Sequence, residues 1–172
     1  KRFDDLFSKK FQTELPVYKN VKENEKIKIG YVSSDLHKTS MSRFLEPVFT
    51  NHNRARYEIY VFSNTSEHDY VTASIKSHCD GWIYTENLSD KDLASKIHDL
   101  GIDILIDLAG HTQGNRLDVF MHKPTPVSLS WWLGFGYTTG LSAIDYFLAH
   151  PTLVPEGSEH LFAEKVWKMD YP

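Results

Sequence analysis

Polar residues that could bind a ligand follow a strongly apolar run near the middle of the chain. Ile102 to Leu108 is apolar apart from two aspartates, and the next segment, Gly110 to Arg116, combines glycine, histidine, threonine and arginine. In sheets of parallel strands, ligands bind in the crevice at the carboxyl ends of the strands. His111 is therefore a candidate catalytic residue, expected to shape the pocket or contact a substrate rather than to act alone as the base. The candidate substrate contacts in this segment are Thr112, Gly114 and Arg116.

Two further loops are expected at the same edge of the sheet. The loop after the first predicted strand contains Asp35 and His37, and His37 is a second candidate catalytic residue because it could act as a general base. The third loop, Trp132 to Gly140, has three glycines that let its backbone approach a ligand, and Thr138 could form a hydrogen bond to that ligand.

Each of these features also has a purely structural interpretation. A loop histidine such as His37 is often only a solvated side chain, and a glycine-rich loop is often a plain turn. Asp35 could cap the next helix, and Arg116 could pair with Asp118 or with a carbonyl at the end of the sheet. The coincidence of three such loops at one edge favours a binding site.

Composition limits the class of protein. A chain of 172 residues with 41% hydrophobic residues is long enough for one domain with its own core. The net charge of −4 and the scattered basic residues disfavour a nucleic-acid binder. Cys79 is the only cysteine, which excludes an internal disulfide and indicates a reducing, cytoplasmic location. The nine histidines show no HxH or HExxH spacing, so no metal site is predicted.

The first residues, Lys-Arg-Phe-Asp-Asp, lack the apolar core of a signal peptide, and no apolar run approaches the roughly 18 residues needed to cross a membrane. Because the chain begins without methionine and in mid-pattern, we expect it to belong to a longer protein. Residues 1–25 are predicted to form a short amphipathic helix, Phe3 to Phe11, and a linker. Residues 26–172 are predicted to form one domain.

The domain alternates strands with helices, which predicts an α/β fold: a Rossmann-like parallel sheet with helices on both faces. The predicted strands are Lys26 to Ser33, Tyr57 to Phe62, Gly81 to Tyr84, Ile102 to Leu108, Val127 to Leu133, Ile144 to Ala149 and Val166 to Met169. The predicted helices are Ser40 to Asn51, His68 to His78, a helix from Ser89 to Gly101, and Arg116 to His122. Pro47 is expected to limit or kink the first of these.

Several enzyme classes lack their sequence signatures here. Gly30 stands alone after the first strand, so neither the dinucleotide fingerprint nor the phosphate-binding P-loop is present. No Gly-x-Ser-x-Gly motif supports a serine hydrolase. Nicotinamide, flavin and serine-hydrolase chemistry are therefore disfavoured, and no cofactor is predicted.

Four blocks of sequence carry a family resemblance: Ile27 to Asp35, Asp103 to Phe120, Lys123 to Val127 and Trp132 to Tyr146. In this order they resemble the O-linked N-acetylglucosamine transferase family, including its bacterial SPINDLY-like members. The resemblance extends over Lys26 to Pro172. It implies the N-terminal half of a two-domain GT-B glycosyltransferase, preceded by tetratricopeptide helices and followed by a second domain.

The resemblance also implies a reaction. Members transfer a sugar, usually N-acetylglucosamine from UDP-N-acetylglucosamine, to Ser or Thr hydroxyls of proteins, with inversion in a single displacement. The nucleotide sugar is a co-substrate, and neither a cofactor nor a metal is implied. Because a GT-B cleft needs both domains, this chain alone is expected to be inactive and to bind the donor weakly.

Particular residues match the family pattern. Leu133 and Gly134 should line the sugar site, with His111 and Gly114 beside them. The remaining candidate substrate contacts are Thr39, Met41, Thr112, Arg116 and Thr138.

Two departures from the pattern affect the mechanism. Members commonly have a histidine followed by proline in the first loop, whereas this chain has Thr39 and Ser40; His37, two residues earlier, could take that role. The usual Tyr-Pro-Gly-Thr is replaced by Phe-Gly-Tyr-Thr, residues 135–138. Loss of the proline is expected to free this loop, and Tyr137 adds bulk.

Two other functions stay open on the sequence. A degenerate glycosyltransferase half could bind protein segments or sugars without turnover, and the departures at Thr39 and Gly136 favour that alternative. An unrelated sugar-nucleotide enzyme such as an epimerase would form product from the nucleotide sugar alone, with no protein acceptor.

Overall fold

The computed structural model describes residue 18 and residues 25–65, 67–131 and 136–169. The strands are β1 (Ile27–Ser33), β2 (Tyr57–Ser63), β3 (Gly81–Tyr84), β4 (Ile104–Asp107), β5 (Val127–Ser130), β6 (Tyr146–Ala149) and β7 (Lys165–Lys168). The helices are α1 (Ser42–Thr50), α2 (Tyr70–Ser77), α3 (Asp90–Asp99) and α4 (Leu117–Met121), and a 3-10 turn spans Glu159–Leu161.

The described strands form one seven-stranded sheet in the order β3-β2-β1-β4-β5-β6-β7. Every adjacent pair is parallel. The chain starts in the middle at β1, moves outward to β3, and then crosses back to continue from β4 on the other side of β1. The first six strands thus follow the Rossmann order, and the switch point lies between β1 and β4. The predicted fold class is confirmed.

Apolar residues of β1 alternate between the two faces of the sheet, which explains why helices cover both. On one face, the buried residues are Ile29, Tyr31, Ile59 and Val61 from the strands, with Leu45 and Phe49 of α1 and Val71 and Ile75 of α2. On the other, they include Val32, Phe62 and Leu105, with Leu93 and Ile97 of α3 and Val119 and Phe120 of α4. A smaller cluster of Phe147, Ala149 and Val154 lies toward β7.

Local signals set the ends of two helices. Asp69 and Thr72 form a capping box, so α2 begins at Tyr70 rather than at the predicted His68. The Ser89 hydroxyl accepts a hydrogen bond from the Asp92 N–H at 3.1 Å and caps α3, as predicted. Gly101 has a φ of +67°, which suits the glycine that ends this helix.

Some predicted bounds were wrong. Helix α1 includes Pro47 and continues to Thr50, so the proline does not end it. The fourth strand is shorter than the predicted Ile102 to Leu108, and β5 ends at Ser130 instead of Leu133. The predicted helix Phe3 to Phe11 lies outside the described residues. In the part of the chain that is described, no helix is long and apolar enough to cross a membrane.

Candidate functional site

The loops that follow β1 and β4 meet at the switch point of the sheet. The Ser34 hydroxyl donates a hydrogen bond to the Gln113 carbonyl at 3.1 Å. Gly114 lies so close that a Cβ atom there would be 3.0 Å from the Ser34 Cβ, and its φ of +77° is in the left-handed region. Two of the three loops predicted to share an edge are therefore in contact, and Gly114 permits that contact.

Asp107 shapes the turn that follows β4. Its buried carboxylate accepts hydrogen bonds from the Ala109 N–H at 3.0 Å, the Gly110 N–H at 3.1 Å and the Ser130 hydroxyl at 2.7 Å. Burial raises the pKa of this carboxyl, while these hydrogen bonds and the charge of His111 oppose the rise. Asp107 thereby fixes the backbone just before His111 and joins β4 to β5.

The turn presents His111 on the surface of the protein and closes on itself. His111 is exposed. The Thr112 hydroxyl donates to the Ala109 carbonyl at 2.7 Å, and the Asn115 side chain donates to the Thr112 carbonyl at 2.8 Å. Thr112 is thus part of the internal structure of the turn, while the side chain of His111 stands where a ligand at this edge could reach it.

Arg116 is held within the protein by partners on three elements. Its Nε donates to the Asp90 carboxylate at 2.6 Å, and its side chain is only 10% exposed. The other guanidinium nitrogens donate to the Asn64 side chain and to the carbonyls of Thr85 and Leu88. This arrangement matches the structural interpretation of Arg116, with Asp90 as the acidic partner instead of Asp118.

The loop after β1 is anchored by a buried leucine and by the start of α2. Leu36 is fully buried, and its carbonyl accepts a hydrogen bond from the Thr72 hydroxyl at 2.8 Å. The Lys38 N–H donates to the Asp69 carboxylate at 2.7 Å. These contacts hold the segment between Leu36 and Lys38, which includes His37, against the N-terminus of α2.

His37 faces a carboxylate. Its Nε2 lies 3.4 Å from a Glu67 oxygen, and the two side chains are 16% and 74% exposed. Among the described residues the Nδ1 of His37 has no hydrogen-bond partner, and this atom is buried from solvent. Nearby Asp35 is half-buried, and burial raises the pKa of its carboxyl while the charge of His37 lowers it. A substrate could therefore reach His37 only through Nε2.

Thr39 and Met41 lie where this loop becomes α1. The Thr39 hydroxyl accepts a hydrogen bond from the Met41 N–H at 3.2 Å, and its carbonyl accepts one from the Ser42 hydroxyl at 2.8 Å. Met41 occupies the N-cap position of α1. Both residues are partly exposed beside the switch point.

The end of the third loop is fixed by a buried glutamate. The Glu164 carboxylate accepts hydrogen bonds from the Thr138 hydroxyl at 2.6 Å, from the Thr139 N–H at 2.7 Å and from the Thr139 hydroxyl. A Cβ atom at Gly136 would lie 2.4 Å from the Leu153 carbonyl oxygen. These contacts anchor the end of the loop at residues 138–140, and the effect of the lost proline on the rest of it stays a prediction. Leu133 and Gly134 lie outside the described residues.

Three residues that the sequence analysis missed contribute to this region: Asn64, Glu67 and Glu164. Asn64 and Glu67 follow β2, so the loop after the second strand should have been included with the other strand ends. Glu164 precedes an edge strand and carries no local signal. Within residues 25–65, 67–131 and 136–169, no three His, Cys, Asp or Glu side chains are grouped so that they could hold a metal ion.

Comparison with known proteins identifies the family. The model of glycosyl transferase family 41 matches residues 8–171. The chain belongs to this family. It is 30% identical over 155 residues to the probable UDP-N-acetylglucosamine–peptide N-acetylglucosaminyltransferase SPINDLY of Arabidopsis thaliana, covering 87% of this chain and 17% of that protein. The resemblance inferred from the sequence is confirmed.

Two further proteins are similar to this chain. The UDP-N-acetylglucosamine–peptide N-acetylglucosaminyltransferase of Caenorhabditis elegans is 28% identical over 166 residues, which cover 88% of this chain and 13% of that protein. The structure of a lysine-to-methionine mutant of the Thermobaculum terrenum O-GlcNAc transferase superposes with a TM-score of 0.90 at 31% identity, over 98% of this chain and 32% of that one. The chain thus spans less than a fifth of these curated relatives and about a third of the solved structure.

Proposed function

We propose that this chain contributes one wall of the active site of a protein O-glycosyltransferase. The donor would be a nucleotide sugar, UDP-N-acetylglucosamine in the first instance, and the acceptor a Ser or Thr hydroxyl of a protein. The observation that carries the proposal is the match to glycosyl transferase family 41 in a chain whose β1 and β4 loops meet at the Rossmann switch point. The whole protein would add a second GT-B domain and N-terminal helical repeats, and would act in the cytoplasm.

The proposed reaction is a single displacement with inversion. The acceptor hydroxyl attacks the anomeric carbon, the bond from that carbon to the diphosphate oxygen breaks, and the diphosphate leaves with the electron pair. A base takes the proton from the hydroxyl, which contributes about 10²–10⁴-fold to such reactions. The role of the chain is to hold the two reactants in line and to supply or position that base.

Two histidines are the candidates for the base, since Thr39 replaces the histidine that is usual in the family. His37 can accept a proton from a substrate only at Nε2, because its Nδ1 is buried. The Glu67 carboxylate, 3.4 Å from Nε2, would stabilise the imidazolium that forms. His111 is exposed on the turn after β4 and can contact either the acceptor or the sugar.

The test uses the full-length protein with UDP-N-acetylglucosamine and its co-expressed proteins as acceptors, followed by intact-mass analysis. We expect each modified acceptor to gain the mass of N-acetylhexosamine. His37→Ala and His111→Ala are compared with His78→Ala, an exposed histidine at the opposite end of the sheet. Loss of about a hundredfold or more in one of the first two variants identifies the base. Absence of transfer from every common nucleotide sugar would refute the proposal.

The second candidate function is a binding module without turnover. It is favoured by Thr39, which replaces the histidine that is usual in the family. It predicts that full-length protein binds acceptor proteins with the same affinity in the wild-type and His111→Ala forms while no acceptor gains mass. Restoring the family residue with Thr39→His separates the two cases. Gain of transfer activity only in that variant would identify a degenerate enzyme.

A further inference from the structure

Asn64, which follows β2 directly, forms hydrogen bonds with two other parts of the site. Its Nδ2 donates a hydrogen bond to the Gly114 carbonyl at 2.9 Å, across 50 residues of sequence. Its Oδ1 accepts hydrogen bonds from Arg116 Nη1 at 3.1 Å and from the Thr85 hydroxyl at 3.2 Å. One side chain thus joins the ends of β2 and β3 to the loop after β4.

The surrounding contacts determine which way this amide faces. Arg116 Nη1 can only donate a hydrogen bond, so the side-chain oxygen of Asn64 must face it. Arg116 cannot easily move, since it is also bound to Asp90 and to the Leu88 carbonyl. The amide nitrogen of Asn64 is therefore directed at the Gly114 carbonyl.

The backbone that Asn64 supports is that of the turn carrying His111. From outside this turn, the Asn64 amide reaches the Gly114 carbonyl and the Ser34 hydroxyl reaches the Gln113 carbonyl. Both acceptors are backbone atoms, and Gly114 has a left-handed φ of +77°. The position of the turn relative to the loop after β1 thus depends on side chains outside it.

We propose that Asn64 is a positioning residue for the turn from His111 to Gly114 in the transfer reaction. This role rests on the proposed function. Asn64 does not itself contact the reacting atoms; it holds the turn so that His111 stands in a fixed place beside the loop that contains His37. Small displacements of such groups are costly, because catalysis depends on near-attack geometry.

The sharpest variant is Asn64→Asp in the full-length protein. The introduced carboxylate keeps an oxygen toward Arg116 and Thr85, but it replaces the amide donor with an oxygen facing the Gly114 carbonyl. Asn87→Asp is the matched control, since it makes the same charge change at an exposed position in the loop after β3. The measurements are kcat, the KM for the donor and the thermal midpoint, each across pH 5–8.

We expect Asn64→Asp to lower kcat about tenfold or more relative to Asn87→Asp at pH 8, with thermal midpoints that stay close together. The loss should persist from pH 8 to pH 5, because Arg116 beside the introduced carboxylate favours its ionised form. Hydrogen exchange in the segment from 110 to 116 should be faster in Asn64→Asp than in the control at pH 8.

Three results would overturn the role. The kcat of Asn64→Asp could equal that of Asn87→Asp at every pH; hydrogen exchange in the segment from 110 to 116 could be equally fast in the two variants; or the loss of activity in Asn64→Asp could be matched by a loss of thermal stability. If the wild-type protein transfers no sugar, the proposed function fails and this role in the reaction fails with it. An active wild-type enzyme with an unaffected Asn64→Asp variant overturns the positioning role alone.

Discussion

Removing the Glu164 carboxylate should destabilise the domain and loosen the loop that ends at Gly140. Glu164 is 4% exposed and Thr139 is 2% exposed, so the contacts between them are shielded from water. In Glu164→Ala, the Thr139 N–H and hydroxyl lose their acceptor. A buried donor without a partner costs about 1–3 kcal/mol.

The expected loss in Glu164→Ala is about 3 kcal/mol in the free energy of unfolding. The combined cost of leaving the two Thr139 donors unpaired is reduced for two reasons. The Thr139 hydroxyl can rotate toward another partner, and the variant no longer buries a carboxylate. For a chain of this size, that loss lowers the thermal midpoint by about 6–12 °C. Glu164→Gln keeps the shape and one acceptor oxygen, so it should cost about 1 kcal/mol.

Urea denaturation followed by tryptophan fluorescence measures these values, with the exposed Glu156→Ala as the control. From most to least stable, the order of the variants should be Glu156→Ala, Glu164→Gln and Glu164→Ala. In the full-length protein, the KM for the donor should also rise in Glu164→Ala, because the sugar site implied at Leu133 and Gly134 is in the same loop. A Glu164→Ala variant within about 0.5 kcal/mol of the control would refute the reasoning.

Three further predictions concern the core and its edges. Gly30→Ala should cost about 1–3 kcal/mol by urea denaturation, because its Cβ would lie 2.9 Å from Phe62 and 3.1 Å from Leu105; an unchanged midpoint would contradict the packing. Burial raises the pKa of the Cys79 thiol to about 12, so a disulfide reagent at pH 8 should react far more slowly with folded than with urea-unfolded protein, and equal rates would contradict this. Burial, followed by the charge of Arg54, lowers the pKa of His52, so protonation favours the unfolded chain. Stability should therefore fall as the pH drops from about 6.5 to that lowered pKa. The fall should be shallower in His52→Gln, which keeps an acceptor for the Tyr31 hydroxyl. Parallel curves of stability against pH for the wild type and His52→Gln would show that His52 does not cause the fall.

Local patterns were sufficient to predict most of the fold. The alternation in β1, the helical spacing in α3 and the caps at Ser89 and Gly101 involve residues within one turn or one strand of each other, so composition and spacing reveal them. The parallel pairing of the strands was predicted from their alternation with helices, whereas the order of the strands is seen only in the structure. The predicted ends of the helices were less accurate. A cap such as Asp69 fixes the first residue of a helix through side-chain hydrogen bonds, which the spacing of apolar residues does not reveal.

The sequence by itself determined that His37, His111 and Gly114 follow strands at one edge of a parallel sheet, since strand ends are encoded locally. Only the tertiary structure decided what surrounds them. Arg116 meets Asp90, Asn64 meets Gly114, and Glu164 meets Thr139, all across 25 to 50 residues. Such pairs have no local signature, because their partners become neighbours only when the strands between them have paired. The arrangement of the site therefore depends on hydrogen bonds between residues that only the paired strands bring together.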